Sequence, residues 1–280
     1  MERVSLPGLL GVPKPIIGMV HLLPLPGAPG WGGSMDQVLD RAGEDARALT
    51  QGGVHALLVE NFLDVPFHPD HVPPETVAAM ALAVAQVARA VDIPVGVNVL
   101  RNDAAAALAI AAATGARFIR VNVHTGVMLA DQGLIQGRAH ETLRLRERLA
   151  TPAAPIAILA DVLVKHAVPP AGTDLARTAL DTWHRGLADA LVVSGTGTGE
   201  PTDLDRIRTV RAAVPEAPLF VGSGLTPENA PTLLQLADGA IVGSALARGG
   251  RAGAGIEPER VRRLMDALRG HGDHGDNGGH

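Results

Sequence analysis

The chain of 280 residues contains no cysteine and no tyrosine, and only four phenylalanines and two tryptophans. Without cysteine there is no thiol nucleophile, no thiolate-ligated zinc and no disulfide. With so few aromatics, nucleobases have little to stack on. A net charge of −5 also denies a nucleic-acid backbone the basic surface it needs, so nucleic acid is not an expected partner. No run of about eighteen apolar residues exists to cross a bilayer. The stretch MERVSLPGLLGVPKP lacks the apolar core of a secretory signal, and the expected location is the cytoplasm.

What is present is ordinary for one globular domain: 46% hydrophobic and 19% charged residues, with alanine, valine and leucine dominant. After a Pro/Gly-containing lead-in over 1–13, eight short apolar runs recur, each followed by a helical stretch. The runs are 16–21, 55–61, 94–98, 118–124, 156–161, 191–194, 219–221 and 240–242. Helical spacing is expected over 35–51, 76–91, 104–114, 140–149, 176–185, 204–214 and 258–268. Such alternation implies a parallel sheet, and eight units fit an α/β fold of the (β/α)8 TIM-barrel type, one domain over 14–269. An open doubly wound sheet is the alternative, but it does not explain why polar residues end nearly every strand. The tail 270–280, GHGDHGDNGGH, is too polar to pack and reads as disordered. The long loops 22–33, 62–74 and 125–137 follow strands and would lie over the catalytic face.

Residues 218–246, PLFVGSGLTPENAPTLLQLADGAIVGSAL, read as strand, glycine turn, helix, strand, glycine turn. Thr226 is expected to cap the helix, with Pro227 in its first position. Two glycine turns after successive strands gather backbone N–H groups around one point, where a phosphate is favoured. In an eight-stranded barrel that site follows strands seven and eight. Ser194, Gly195, Ser223, Gly224, Gly243 and Ser244 are the expected phosphate-binding residues. Glycines that merely turn the chain are the plainer alternative.

The remaining strand ends carry His21, Glu60, Asn61, Asn98, Asn122, His124 and Asp161, with Lys165 and His166 just beyond the fifth strand. Period two places Arg120, Asn122 and His124 on one strand face. In a barrel these residues converge although they are scattered in sequence. Asp161, Lys165, Glu60 and His21 are the expected catalytic set, and Asn61, Asn98, Arg120, Asn122, His124 and His166 the expected substrate-binding set. Lys165 acts either as a Schiff-base amine or as a cation for a substrate phosphate or carboxylate. The set suits proton transfer or bond cleavage beside a carbonyl on a phosphorylated small molecule. Plainer roles are open for each: Arg120 paired with Glu60 inside the barrel, and His21 and His124 as hydrogen-bonded core histidines. No cofactor is required by these residues. A divalent metal, magnesium first, held by Glu60 and Asp161, stays an open alternative. So does a homo-oligomer built through the outer helices.

Several segments together resemble the BtpA/SgcQ family: PIIGMVHLLPLPGAP (15–29), GGVHALLVENFLDVPF (52–67), RFIRVNVHTGVMLADQGLIQGRAHETLRLRERL (117–149), ADVLVKHAVP (160–169), VSGTGTG (193–199) and VGSGLTPENA (221–230). The resemblance runs from about residue 14 to 248. It implies a ribulose-phosphate-binding type of barrel and an enzyme of carbohydrate metabolism, a lyase, aldolase or isomerase on a phosphosugar. The family takes its name from a cyanobacterial factor for accumulation of photosystem I proteins, peripheral to the thylakoid membrane. That origin implies a second possibility, a non-catalytic photosystem I biogenesis factor with peripheral membrane association. A regulatory barrel that binds a phosphorylated ligand is the third. Two positions depart from the family pattern: His55 stands where an aspartate is expected, and Ala247-Arg248 where a lysine often follows the last glycine turn.

Overall fold

Eight strands close on themselves in the computed structural model, which describes residues 3–195 and 203–269. The expectations for the glycine-rich run at 196–202 and for the tail at 270–280 lie outside the described residues. The strands are β1 (Ile16–His21), β2 (Ala56–Glu60), β3 (Val95–Asn98), β4 (Phe118–Val121), β5 (Ala157–Asp161), β6 (Ala190–Val193), β7 (Leu219–Val221) and β8 (Gly239–Val242). Each pairs in parallel with the next in sequence, and β8 returns to β1 through Ile16–Ala240, Ile17–Ile241 and Gly18–Val242. The chain is therefore a TIM barrel in one domain, not an open sheet.

Strand period two divides the core. Ile16, Val20, Leu57, Val59, Val97, Ile119, Ile158, Leu191, Val221 and Val242 face outward into the layer shared with the helices. Ile17, Met19, Ala56, Leu58, Phe118, Ala157, Leu159, Ala190, Val192, Phe220 and Ile241 fill the interior. Both phenylalanines inside lie against glycines. A Cβ on Gly96 would sit 2.2 Å from Phe118 Cε2, and one on Gly239 would sit 2.6 Å from Phe220 Cε1. The scarce aromatics thus fill the barrel where a neighbouring strand carries no side chain.

The lead-in contains a helix, α1 (Leu6–Leu10), capped by Ser5, whose side chain accepts from the Gly8 amide. Its Leu6 and Leu10 join the interior cluster and close the amino-terminal mouth of the barrel. Asp189 latches this end: it accepts from the Val4 amide at 2.8 Å, from the Ile158 amide at 2.7 Å and from Arg146 at 2.5 Å.

The outer helices are α2 (Met35–Gln51), α3 (Pro74–Ala90), α4 (Ala104–Thr114), α5 (Ala139–Leu149), α6 (Leu175–Leu180, continuing as a π turn over Asp181–Arg185), α7 (Leu204–Ala213), α8 (Ala230–Leu236) and α9 (Pro258–Arg269). Two expectations are corrected here. The loop at 125–137 is an antiparallel hairpin, Val127–Ala130 with Gly133–Gln136, widened by Ala167–Val168. And α8 does not start at Thr226. Asn229 accepts from the Thr226 amide and donates to the Gly224 carbonyl, both at 2.8 Å. With the Ala230 amide on the Thr226 carbonyl at 2.9 Å, these bonds close a single turn over 226–229 that precedes the helix, which begins at Ala230.

Gly96→Ala is expected to cost about 1–3 kcal/mol of stability by overpacking, and Phe118→Leu in the same chain to recover part of it. Denaturant melts of the single and double variants read the coupling; strictly additive losses would contradict this packing account.

Candidate functional site

Inward-pointing residues change character along the barrel. Near α1 they are apolar; at the carboxyl ends of the strands they are His21, Glu60, Asn98, Arg120, Asp161 and Ser194, with Gly222 and Gly243 one residue beyond β7 and β8. Above them lies a cavity of about 870 Å³, lined among others by His21, Glu60, Arg101, Arg120, Asn122, Lys165, His166, Gly222–Thr226 and Gly243–Ala245. The position is that of barrel active sites.

On one side Glu60 Oε2 accepts from Asn98 Nδ2 at 2.5 Å, and Oε1 lies 3.7 Å from His21 Nε2. His21 Nδ1 accepts from the Gly253 amide at 3.2 Å, which leaves the ring proton of the neutral imidazole on Nε2, toward Glu60. Burial lowers the His21 pKa, opposed by the Glu60 charge, so the ring is neutral at pH 7. Phe62 packs on it with ring centroids 4.4 Å apart.

On the floor, Arg120 and Asp161 form a bidentate pair, Nε to Oδ2 at 2.9 Å and Nη2 to Oδ1 at 2.8 Å. Asn122 donates to the same carboxylate at 3.0 Å and Ser194 Oγ at 3.4 Å. Arg120 therefore pairs with Asp161, not with Glu60. Asp161 has its oxygens committed and its side chain is 1% exposed, so the geometry gives it the role of anchor rather than of free base or half of a magnesium pair. Ser194 likewise spends its hydroxyl on Asp161 rather than facing a phosphate.

Lys165 lines the cavity, and no carboxylate among the described residues is in contact with it. Burial pushes its pKa down to about 8, with the Arg120 charge adding to the shift and Glu60 and Asp161 opposing it. Leu163 and His166, on either side of it, both hold φ of +56°, a conformation rare for residues with side chains, so the loop that aims Lys165 is strained.

The wall formed by β7 and β8 is backbone. A Cβ on Gly222 would lie 2.3 Å from Ser194 Oγ and 2.6 Å from Val192 Cγ1, so only glycine fits. Gly224 turns the chain at φ +72°. After Gly243, a short 3-10 turn (Ser244–Leu246) opens with amides that have no intrahelical partner. The Gly195 amide donates to Ser223 Oγ at 3.2 Å, tying the turn after β6 to that after β7. Arg248 is exposed and does not line the cavity, so this wall carries no arginine or lysine from the turn after β8.

Two expected residues are placed elsewhere. β4 stops at Val121, and His124 leaves the barrel face; its Nε2 donates to the Gly186 carbonyl at 2.7 Å. Asn61 clamps a loop, accepting from the Leu100 amide at 2.7 Å and donating to Asp64 at 3.1 Å. Two charged lining residues were not anticipated from sequence: Arg101, three residues past β3, and Asp131, at the tip of the hairpin. An arginine just beyond a strand end is the signal for the first; the second needs the hairpin itself. No group of three or more His, Asp or Glu side chains placed to hold a metal occurs among the described residues. Glu60 and Asp131 are the carboxylates that line the cavity.

The BtpA family profile matches residues 12–270. This chain belongs to the BtpA family. It is 49% identical over 255 residues to the photosystem I biogenesis protein BtpA of Synechocystis, covering 91% of this chain and 88% of that one. It is 47% identical to an uncharacterized protein of Thermococcus kodakarensis (91% and 95% covered) and 34% identical to the putative sgc region protein SgcQ of Escherichia coli (93% and 96%). Among solved structures, the fold matches (S)-3-O-geranylgeranylglyceryl phosphate synthase of Thermoplasma acidophilum in complex with sn-glycerol-1-phosphate, with a TM-score of 0.60 at 15% identity over 96% of this chain and 100% of that one. It also matches phosphoribosyl anthranilate isomerase of Thermus thermophilus, with a TM-score of 0.57 at 12% identity over 92% and 100%. At these identities the likeness shows the fold.

His124 is the clearest stability sensor of this BtpA-family barrel. Burial drives its pKa down to about 4, outweighing the Gly186 carbonyl contact. Folded neutral and unfolded near 6.5, it contributes stability that is full above about pH 6.5 and lost as pH falls toward 4, on the order of 3 kcal/mol. Denaturant melts from pH 7 to 4 should show a steeper loss in the wild type than in His124→Gln; equal slopes would contradict this assignment.

Proposed function

We propose that this barrel is an enzyme acting on a phosphorylated sugar or related small metabolite, moving a proton or breaking a bond beside a carbonyl. The observation that carries this reading is that one cavity unites the two glycine turns with Glu60, His21 and Lys165. The phosphate is assigned to the backbone of the turns at Gly222–Thr226 and Gly243–Ala245, where the Gly224, Leu225, Ser244 and Ala245 amides suit an anion; the Gly222 and Thr226 amides are spent on the Val193 carbonyl and on Asn229. The solved barrels of like fold whose names include phosphorylated substrates support the assignment by analogy.

Glu60 is assigned as the base. Its carboxylate takes the proton from the carbon beside the substrate carbonyl, and the electron pair moves onto the carbonyl oxygen as an enolate. Lys165, as ammonium, stabilises that oxygen. On an α-hydroxy carbonyl substrate the hydroxyl proton passes to the former carbonyl oxygen, and return of the carbon-bound proton to the former carbonyl carbon completes an isomerisation. Alternatively, Glu60 takes a hydroxyl proton and a carbon–carbon bond breaks to give the same enolate, which is a lyase step. His21 orients Glu60 through Nε2, and Asn98 holds it from the other side. Arg120, held by Asp161, and Asn122 form the polar floor on which the substrate rests.

The printed name of the Synechocystis relative supports a second reading, an assembly factor for a membrane complex. One surface suits it: Leu129, Leu134 and Val168, neighbours on the hairpin sheet, are 50%, 59% and 65% exposed. No helix among the described residues is long and apolar enough to cross a membrane.

Thermal melts against phosphorylated sugars and their unphosphorylated forms test the first reading. Saturation at a hundredfold excess over Kd adds about 2.7 kcal/mol. A phosphosugar should raise the melting point while its parent sugar does not, and absence of any phosphate-dependent shift would sink the phosphate site. On a compound that is turned over, Glu60→Gln should cost at least about a hundredfold in kcat. Activity that needs the Lys165 ammonium is present below its pKa and falls as pH rises through about 8. An undiminished Glu60→Gln enzyme, or activity that climbs through pH 8, would overturn these roles.

A further inference from the structure

Three arginines among the described residues are less than a tenth exposed: Arg101 at 6%, Arg120 at 4% and Arg146 at 5%. Arg120 is paired with Asp161 at 2.8 Å and Arg146 with Asp189 at 2.5 Å, as buried guanidinium groups require. Arg101 is different. Among the described residues the one hydrogen-bond partner of its guanidinium is the Lys165 carbonyl, reached from Nη2 at 2.6 Å, and no carboxylate touches it. Asp161, Glu60 and Asp131 act on it only from a distance. Nε and Nη1 remain for something else, in a side chain that lines the main cavity.

Lys165 stands beside it, likewise in the cavity and likewise without a carboxylate in contact among the described residues. Burial is the largest cause lowering the pKa of each, the Arg120 charge adds to both shifts, and the Arg101 charge adds to that of Lys165. The carboxylates of the cavity offset this only in part and touch neither cation. Glu60 is held by Asn98 and faces His21, and Asp131 accepts from Gln132 at the hairpin tip. A site that keeps a buried guanidinium fork open is complementary to an anion that arrives with the ligand.

Position decides which anion. In the closed ring, β3 lies across from β7 and β4 across from β8. Arg101 follows β3, whereas the glycine turns follow β7 and β8, so the two anion-seeking walls face each other over the mouth. A single terminal phosphate cannot occupy both. Resting on the assignment of the glycine turns as the phosphate site, we infer that Arg101, with Lys165 beside it, binds a second anionic group of the substrate. The substrate class is then a phosphorylated sugar acid or a sugar bisphosphate rather than a phosphosugar with an uncharged far end.

Calorimetric titration of the full chain with glucose 6-phosphate, 6-phosphogluconate, fructose 1,6-bisphosphate and gluconate tests this. The wild type should bind one of the doubly anionic compounds at least about tenfold more tightly than glucose 6-phosphate. Preference for phosphogluconate assigns a carboxylate to Arg101, and preference for the bisphosphate assigns a phosphate. Arg101→Gln should abolish the preference while leaving glucose 6-phosphate within about twofold of the wild type. Arg101→Lys should keep part of it, and both free variants should melt cooperatively. Ser244→Asp, which puts a carboxylate on the opposite wall, should weaken all three phosphorylated compounds together. Equal affinities for singly and doubly anionic compounds in the wild type would overturn the second-anion site and leave the phosphate site standing. So would an Arg101→Gln loss that is the same for both classes. Failure of every phosphorylated compound to bind would overturn both.

Discussion

A guanidinium and a carboxylate locked together inside the barrel are the constraint around which the site is built. Arg120 and Asp161 are 3% and 1% exposed at the side chain, on β4 and at the end of β5. Two charges taken this far out of water are tolerated only when geometry is bidentate and the remaining lone pairs are filled. Asn122 and Ser194 fill them. The network divides the interior into an apolar plug below, closed by α1, and a polar cavity above. It also bears on the neighbouring backbone: Gly222 must lack a side chain because Ser194 Oγ and Val192 Cγ1 occupy the space a Cβ would need. The glycine turn assigned to phosphate is therefore linked to the ion pair through Ser194, which donates to Asp161.

From that floor the functional reading follows by subtraction. Asp161 is committed to Arg120, and Ser194 is committed to Asp161. Among the described carboxylates that line the cavity, Glu60 has one oxygen held and the other toward a neutral histidine, and Asp131 sits at the hairpin tip. Lys165 and Arg101 are cations without carboxylate contacts among the described residues. This combination, with the glycine turns opposite, is what the proposed chemistry on an anionic small molecule draws on. Membership of the BtpA family is consistent with this. The family name itself describes one relative's role rather than a reaction.

Much of this was legible in the sequence, for a specific reason. Eight apolar runs separated by helical stretches define a parallel barrel, and strict period two then sends each strand's last inward residue to one mouth. His21, Glu60, Asn98 and Asp161 were legible as polar residues ending apolar runs, and Arg120 by the alternation of its strand. It failed where regular strand ends. His124 is two residues beyond an alternation that holds only to Asn122, because β4 stops at Val121. Arg101 lies past β3 in a loop whose path is set by long-range contacts, including its amide donating to the His68 carbonyl. Which carboxylate would meet Arg120 depended on inter-strand register, with Arg120 opposite Leu159 on β5, and period two does not report register. The start of α8 was expected one turn early because a single turn over 226–229, closed by the Asn229 side chain and by the Ala230 amide on the Thr226 carbonyl, stands before it.

The account stands or falls on whether the backbone wall after β7 and β8 receives a phosphate. Crystals soaked in tungstate, a heavy dianion of phosphate-like shape, answer this by anomalous diffraction. A peak within hydrogen-bonding reach of the Gly224–Leu225 and Ser244–Ala245 amides is the predicted result. An empty wall, with tungstate bound only elsewhere on the protein, would contradict it.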